Sequence, residues 1–197
     1  MSLHIAADDP TADDVRAVLA RHLAFAHEVT PPEGVHALGV DGLAGPDITF
    51  FSARVDGRAV GVGALKELDA THAELKSLHT IEEARGRGVA RALVAHLLTV
   101  AAERGYRRVS LETGDMEAFA PARALYAAMG FVPCPPFGEY ASSPTSACMT
   151  RVVDGPGDPP AVGPTATASS QGAATPGAAA SPGDGARPGA AASPGDG

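Results

Sequence analysis

Apolar positions along the first 153 residues alternate between two periods. Val15, Val18, Leu19, His22 and Phe25 or Ala26 recur at the spacing of one helical face, as do Val89, Leu93, Leu97 and Val100. The first helix begins in DPTADDVR, with Thr11 or Asp9 as its cap and Asp13 and Asp14 placed favourably in the first turn, and it stops before Pro31-Pro32. The second stops at Gly105. Strand-like runs cover 3–7, 48–55, 58–68, about 73–81 and 107–113, with a short strand from Phe131 and a last one over 146–153. Asp56-Gly57 joins two of them as a two-residue hairpin loop. Gly61 and Gly63 leave one face of the second hairpin strand open to a close neighbour, a backbone or a ligand. A further helix, about Pro121–Met129, has proline in its first turn and Gly130 beyond its end. Residues 31–47, rich in Gly and Pro, read as a long loop or a short irregular helix bordering a binding site.

This order predicts an α/β (α+β) fold: one mixed, mostly antiparallel sheet with helices on both faces, built from residues 1–153. Residues 154–197 are almost wholly Ala, Gly, Pro, Ser, Thr and Asp, and AAASPGDG occurs there twice. Such a segment cannot bury enough apolar surface to offset chain entropy, so a disordered tail is expected.

The stretch from Glu74 to Leu98 organises the remainder. A strand feeds the turn Arg85-Gly86-Arg87-Gly88 and then a helix. That arrangement suits an anion: helix N-terminal N–H groups point outward, the dipole adds positive charge, and glycine lets the ligand approach the backbone. Solvated arginines on an ordinary turn are the plain alternative. A dinucleotide fingerprint fails because Arg91 occupies the third glycine position, and no phosphate-loop motif is present. Net charge of −8 and a pI of about 5.3 argue against a nucleic-acid surface. Cys134 and Cys148 match no metal or disulfide pattern, and no membrane span or secretory leader is legible, so a cytoplasmic, metal-free protein is the expectation.

Arg85-Gly86-Arg87-Gly88-Val89-Ala90 fits the R-x-x-G-x-G/A signature of GNAT-type acetyl-CoA-dependent N-acetyltransferases. ARALYAAMGF, 122–131, resembles the superfamily's second hallmark, A-x-x-L-Y-x-x-x-G-F. Through ELKSLHT, SLETGDMEAFAPARALY and PFGEY…SACMTR the chain is similar to the YsnE-type acetyltransferases within it. The resemblance covers residues 1–153. It implies a GNAT-like fold and acetyl transfer from acetyl-CoA to a primary amine of a small molecule or amino acid. A non-catalytic acyl-CoA-binding module and acetylation of a protein amine are the alternatives. It also implies that the amides of Arg85, Gly86, Arg87, Gly88, Val89 and Ala90 hold the CoA pyrophosphate, while Leu78 and Thr80 offer backbone groups to the acetyl carbonyl and pantetheine arm. Tyr126 falls at the position of the general acid. Glu74 and Glu112 are the candidate bases, with a water relay as the third possibility. Simple alternation puts Glu74, Lys76, Leu78 and Thr80 on one face of the strand and His79, a packed core residue, on the other. Where the superfamily often has a CoA-contacting Asn, this chain has Phe119. Tyr140, His36 and Asp41 are expected near the acceptor pocket, and relatives suggest a homodimer.

Overall fold

The computed structural model describes residues 2–31, 34 and 37–153. The expected disordered tail and His36 lie outside the described residues. In chain order come β1 (Leu3–Ala7), α1 (Asp13–Val29), α2 (Val40–Leu43), β2 (Ile48–Val55), β3 (Arg58–Asp69), β4 (His72–Thr80), α3 (Val89–Glu103), β5 (Arg108–Gly114), α4 (Ala120–Ala128), β6 (Val132–Pro133) and β7 (Ser146–Val152). One seven-stranded sheet runs β1-β2-β3-β4-β5-β7-β6, and every neighbouring pair is antiparallel except β4–β5. This is the mixed, mostly antiparallel sheet the pattern predicts.

The hairpin between β2 and β3 turns on Asp56 and Gly57 at φ 49° and 82°, the positive values a two-residue loop requires. The start of α1 differs from expectation. Ala12 occupies the cap position without a side-chain cap, while Asp9 accepts bonds from the Thr11 N–H and hydroxyl in a turn just upstream. Arg54 donates to both Asp8 and Asp14, tying the first turn of α1 to the β1–β2 edge. Residues 40–43 of the expected loop close into one helical turn.

Two layers of side chains sandwich the sheet. On one face Val15, Val18 and Leu19 of α1 and Leu43 of α2 cover Phe50, Val62 and Ala64. On the other, Val94, Leu97 and Leu98 of α3 and Tyr126 of α4 close over Leu65, Leu75, Val109 and Leu111. Burial of each such aliphatic side chain is worth about 1.5–3 kcal/mol. The open face at Gly61 and Gly63 takes α3 rather than a ligand. A β-carbon on Gly61 would stand 3.0 Å from Leu93 and Val89, and one on Gly63 would stand 3.1 Å from Leu78. These glycines set how closely α3 approaches the sheet.

Candidate active site

The parallel pairing of β4 and β5 is short. Its register runs His72↔Arg108, Ala73↔Val109 and Glu74↔Ser110 and then ends, although both strands continue. Beyond Glu74 the two strands part. The resulting cleft is a cavity of about 390 Å³, lined by β4 from Glu74 to Thr80, by Glu112 to Gly114 of β5, by His22 and Phe25 of α1, by Arg85 and Ala90, and by Tyr126 and Tyr140. That volume falls in the range of small-ligand pockets.

A bulge in β4 governs what faces the cleft. Val62 pairs with His79 and Ala64 with Lys76, so the single residue Gly63 stands opposite two, Ser77 and Leu78. Ser77 carries φ 51°, a left-handed value that a serine rarely adopts. The extra residue inverts the alternation. Leu78 packs with the core beneath α3, whereas His79 stacks on His22 of α1 with ring centroids 5.4 Å apart. The expected face of Glu74, Lys76, Leu78 and Thr80 is therefore broken after Lys76. His79 joins the Glu74 side and lines the cavity. Burial pushes the imidazoles of His22 and His79 down to about 4, for His79 with help from His22 and Arg85 nearby, so both are neutral at physiological pH.

Glu74 is buried, 3% exposed, and its Oε1 accepts from Lys76 Nζ at 3.0 Å and from the Tyr140 hydroxyl at 2.5 Å. Lys76 Nζ also donates to the Tyr140 oxygen at 2.6 Å and lies 5.2 Å from that ring's centroid. Burial, followed by the Glu74 charge, raises the Tyr140 pKa, so the phenol keeps its proton and donates. Tyr140 arrives on the loop between β6 and β7, where Phe137 packs against both its ring and that of His72. Its Lys76–Glu74 contact has no local sequence signal, because the partners are more than sixty residues apart. Asp41, by contrast, does not reach the cavity wall.

Glu112 accepts from Ser146 Oγ at 2.7 Å, on the strand pair where it opposes Cys148. Tyr126 is 6% exposed and packs edge-on to Phe131. Burial, then the charge of Glu112, raises its pKa well above the ordinary phenol value. Glu74, Glu112 and Tyr126 thus share one cavity. Phe119 lies flat enough on Gly114 that a β-carbon there would meet its ring at 2.3 Å, and it meets Phe25 of α1 edge-on at 5.3 Å. Where the family often has an amide, this chain has an aromatic contact joining the two sides of the cleft.

At the other end, Arg85 donates from Nε to the Thr80 carbonyl at 3.3 Å. Gly86 and Gly88 hold φ 72° and 80°, and nothing lies within 4 Å of where their β-carbons would be. Gly88 caps α3 without a side-chain cap bond, which leaves the first N–H groups of that helix for a ligand. Two hydroxyls on the intervening strand, Ser77 Oγ and Thr80 Oγ1, are buried with no hydrogen-bond partner among the described residues. An anion cradle, unpaired polar groups along the strand, and a carboxylate–phenol cluster follow one another along a single cleft. These features fit a phosphate-bearing acyl carrier at one end and a nucleophile at the other.

The sheet with its splayed parallel pair, bulged strand and glycine-rich turn at a helix N-terminus has the fold of solved acyltransferases. The chain belongs to the acetyltransferase (GNAT) family, whose model matches residues 18–131, and it is an acetyltransferase. It is 45% identical over 149 residues to the uncharacterized N-acetyltransferase YsnE of Bacillus subtilis (strain 168), covering 76% of this chain and 99% of that one. It is 42% identical over 142 residues to the uncharacterized N-acetyltransferase YedL of Escherichia coli (strain K12), with 72% and 89% covered. Among solved structures it superposes on a protein of Klebsiella pneumoniae assigned to the acyl-CoA N-acyltransferases, with a TM-score of 0.64 at 24% identity, spanning 77% of this chain and 97% of that one. An aminoglycoside 6'-N-acetyltransferase solved with coenzyme A gives a TM-score of 0.58 at 15% identity, with 79% and 99% covered.

Proposed function

We propose that this protein transfers the acetyl group of acetyl-CoA to the primary amine of a small molecule or amino acid by direct attack. The observation that carries the reading is the order of groups along the cleft: the Arg85–Ala90 turn, the strand with unpaired hydroxyls, then Glu74 with Lys76 and Tyr140. The solved relative that holds coenzyme A supports the identity of the carrier. Backbone amides from Arg85 to Ala90 take the pyrophosphate, with the helix dipole and Arg85 adding positive charge. Leu78 and Thr80 position the pantetheine arm, which brings its thioester to the point where β4 and β5 separate.

Glu74 and Glu112 face the amine. The acceptor reaches the cleft as an ammonium and must lose a proton before its nitrogen can attack. Glu74 takes that proton directly or through water, steered by Lys76 and Tyr140 on its Oε1. Glu112 is the second candidate base. Attack places negative charge on the carbonyl oxygen, where a fixed donor stabilises it. The nitrogen of the tetrahedral adduct then gives up its second proton to Glu112 or solvent, and when the C–S bond breaks Tyr126 gives its own proton to the thiolate and is reprotonated from that source.

A cavity of this size, narrowed by the Phe25–Phe119 contact, favours a metabolite over a folded protein target. A thiol-release screen of amines, amino acids and lysine-containing peptides against acetyl-CoA tests the proposal. Turnover is expected with small amines. Turnover with peptides alone would overturn the acceptor class, and CoA binding without any turnover would overturn catalysis.

A further inference from the structure

The end of the cleft away from the glycine turn holds three charges. Glu74 and Lys76 form an ion pair at 3.0 Å, their side chains 4% and 10% exposed, and Glu112 lines the same cavity from β5. A buried pair of this kind adds little net stability, because desolvation offsets the attraction. Neither member is exhausted by the pairing. Glu74 Oε1 accepts from Lys76 and Tyr140, whereas Oε2 accepts from no described residue. Nor is Oε2 among the sealed, unpartnered polar atoms, which are Ser77 Oγ and Thr80 Oγ1. Lys76 Nζ has three N–H groups and places two, on Glu74 and Tyr140, among the described residues. The other cation on the cavity wall among the described residues, Arg85, stands at the opposite end against the Thr80 carbonyl. A ligand beside Glu74 therefore meets two carboxylates and one ammonium. Two residues along β5 from Glu112 the wall turns apolar. There Phe119 lies on Gly114 and meets Phe25 edge-on at 5.3 Å, and Ala26, Ala122 and Leu125 line the same cavity.

We propose that the acceptor is an α-amino acid with an apolar side chain. Its ammonium faces Glu74 Oε2 and Glu112, its carboxylate takes the remaining N–H of Lys76, and its side chain rests on Phe25 and Phe119. This rests on the acetyl-transfer reading above. An α-amino acid carries both charges on one carbon, so they lie side by side as those of Glu74 and Lys76 do. A simple monoamine brings nothing for Lys76, and a charged side chain would be desolvated against the two phenyl rings. In the transfer the ammonium loses one proton to Glu74 or water, and its nitrogen bonds to the acyl carbon. The second proton then leaves nitrogen, the C–S bond breaks and CoA departs as the thiol. The N-acetyl product keeps its carboxylate but has lost its positive charge, so Glu74 and Glu112 no longer hold it.

The assignment is tested on the wild type by thiol release from acetyl-CoA with four acceptors. They are L-phenylalanine, phenethylamine, which lacks only the carboxylate, L-phenylalaninamide, which is neutral there, and L-glutamate. The kcat/KM for L-phenylalanine should exceed each of the others by about tenfold or more. Lys76→Met should bring the ratio of L-phenylalanine to phenethylamine close to one; should that variant not fold, the wild-type series decides by itself. Phe119→Ala should raise the KM for L-phenylalanine about tenfold, with that for L-alanine within about twofold. Phenethylamine or the amide used as well as L-phenylalanine would overturn the place of the carboxylate at Lys76 and leave acetyl transfer standing. Preference for L-glutamate, or an unchanged KM for L-phenylalanine in Phe119→Ala, would overturn the apolar wall. Thiol release with amines other than amino acids alone would overturn this assignment only. If no amine of any kind released thiol, the acetyl-transfer reading would fall and this assignment with it.

Discussion

Tyr126 is buried and its phenol is held above the ordinary range, so it stays protonated at neutral pH. The raised pKa makes it a weaker acid toward a thiolate than a free phenol, so its proposed acid role rests on its place in the cavity. Tyr126→Phe is expected to lower kcat by about one to two orders of magnitude with little change in CoA affinity, checked by thiol release alongside calorimetric titration. Unchanged kcat would remove it from the acid role. Glu74 presents a different case, since its charge is buried with Lys76 as counter-ion, their side chains 4% and 10% exposed. Lys76→Met strands that carboxylate and should cost about 3–5 kcal/mol in denaturant unfolding, while Lys76→Met with Glu74→Gln should recover most of the loss. Glu74, Glu112 and Tyr126 were legible in the sequence as candidates. The facing of Glu74's neighbours was not, because alternation along β4 is interrupted by a bulge and nothing local to ELKSLHT marks it.

At the scale of elements, α3 has two roles that its sequence keeps apart. Its inner face is core: Leu93, Val94 and Leu97 are fully buried, and Leu97→Ala should cost about 2–5 kcal/mol by thermal or denaturant unfolding. Its N-terminus is the proposed binding surface, uncapped by any side chain. Gly88→Glu adds a side chain at φ 80° and a negative charge where an anion is proposed to rest. Isothermal titration should then find no measurable CoA affinity; retained affinity would displace the pyrophosphate site. Both roles are readable from the 3.6-residue pattern and the glycine turn, since each is encoded within a few residues. The β6–β7 loop is the opposite case. Tyr140 is a proline-flanked loop residue in the sequence, and only the packing of Phe137 on His72 brings it over Lys76 and Glu74.

The whole molecule has an acid-sensitive seam where α1 meets β4. His22 and His79 are neutral in the fold, pushed down to about 4, but titrate near 6.5 when unfolded. The unfolded chain thus binds more protons as pH falls, so their contribution is fully present above about pH 6.5 and is lost progressively towards pH 4. Denaturant midpoints across that window should decline, and His22→Phe should flatten the decline by on the order of 2 kcal/mol. An unchanged slope in His22→Phe would place the acid sensitivity elsewhere. The same seam carries Phe25 and its contact with Phe119, so loosening α1 in acid should also weaken the cleft.

The sequence by itself determined the element order, the Asp-Gly hairpin, the glycine turn before α3 and the family, because each is written in short-range periodicity, turn chemistry or a local motif. Only the tertiary structure decided the rest. The β4–β5 pair stops at Glu74↔Ser110, the bulge sets Ser77 and Leu78 opposite Gly63 and turns His79 towards α1, and a distant loop supplies Tyr140 to Glu74. Those features depend on how α1, α3 and the β6–β7 loop press on one strand from different sides. Pairing register and side-chain facing are properties of that packing, and a single chain segment does not contain them.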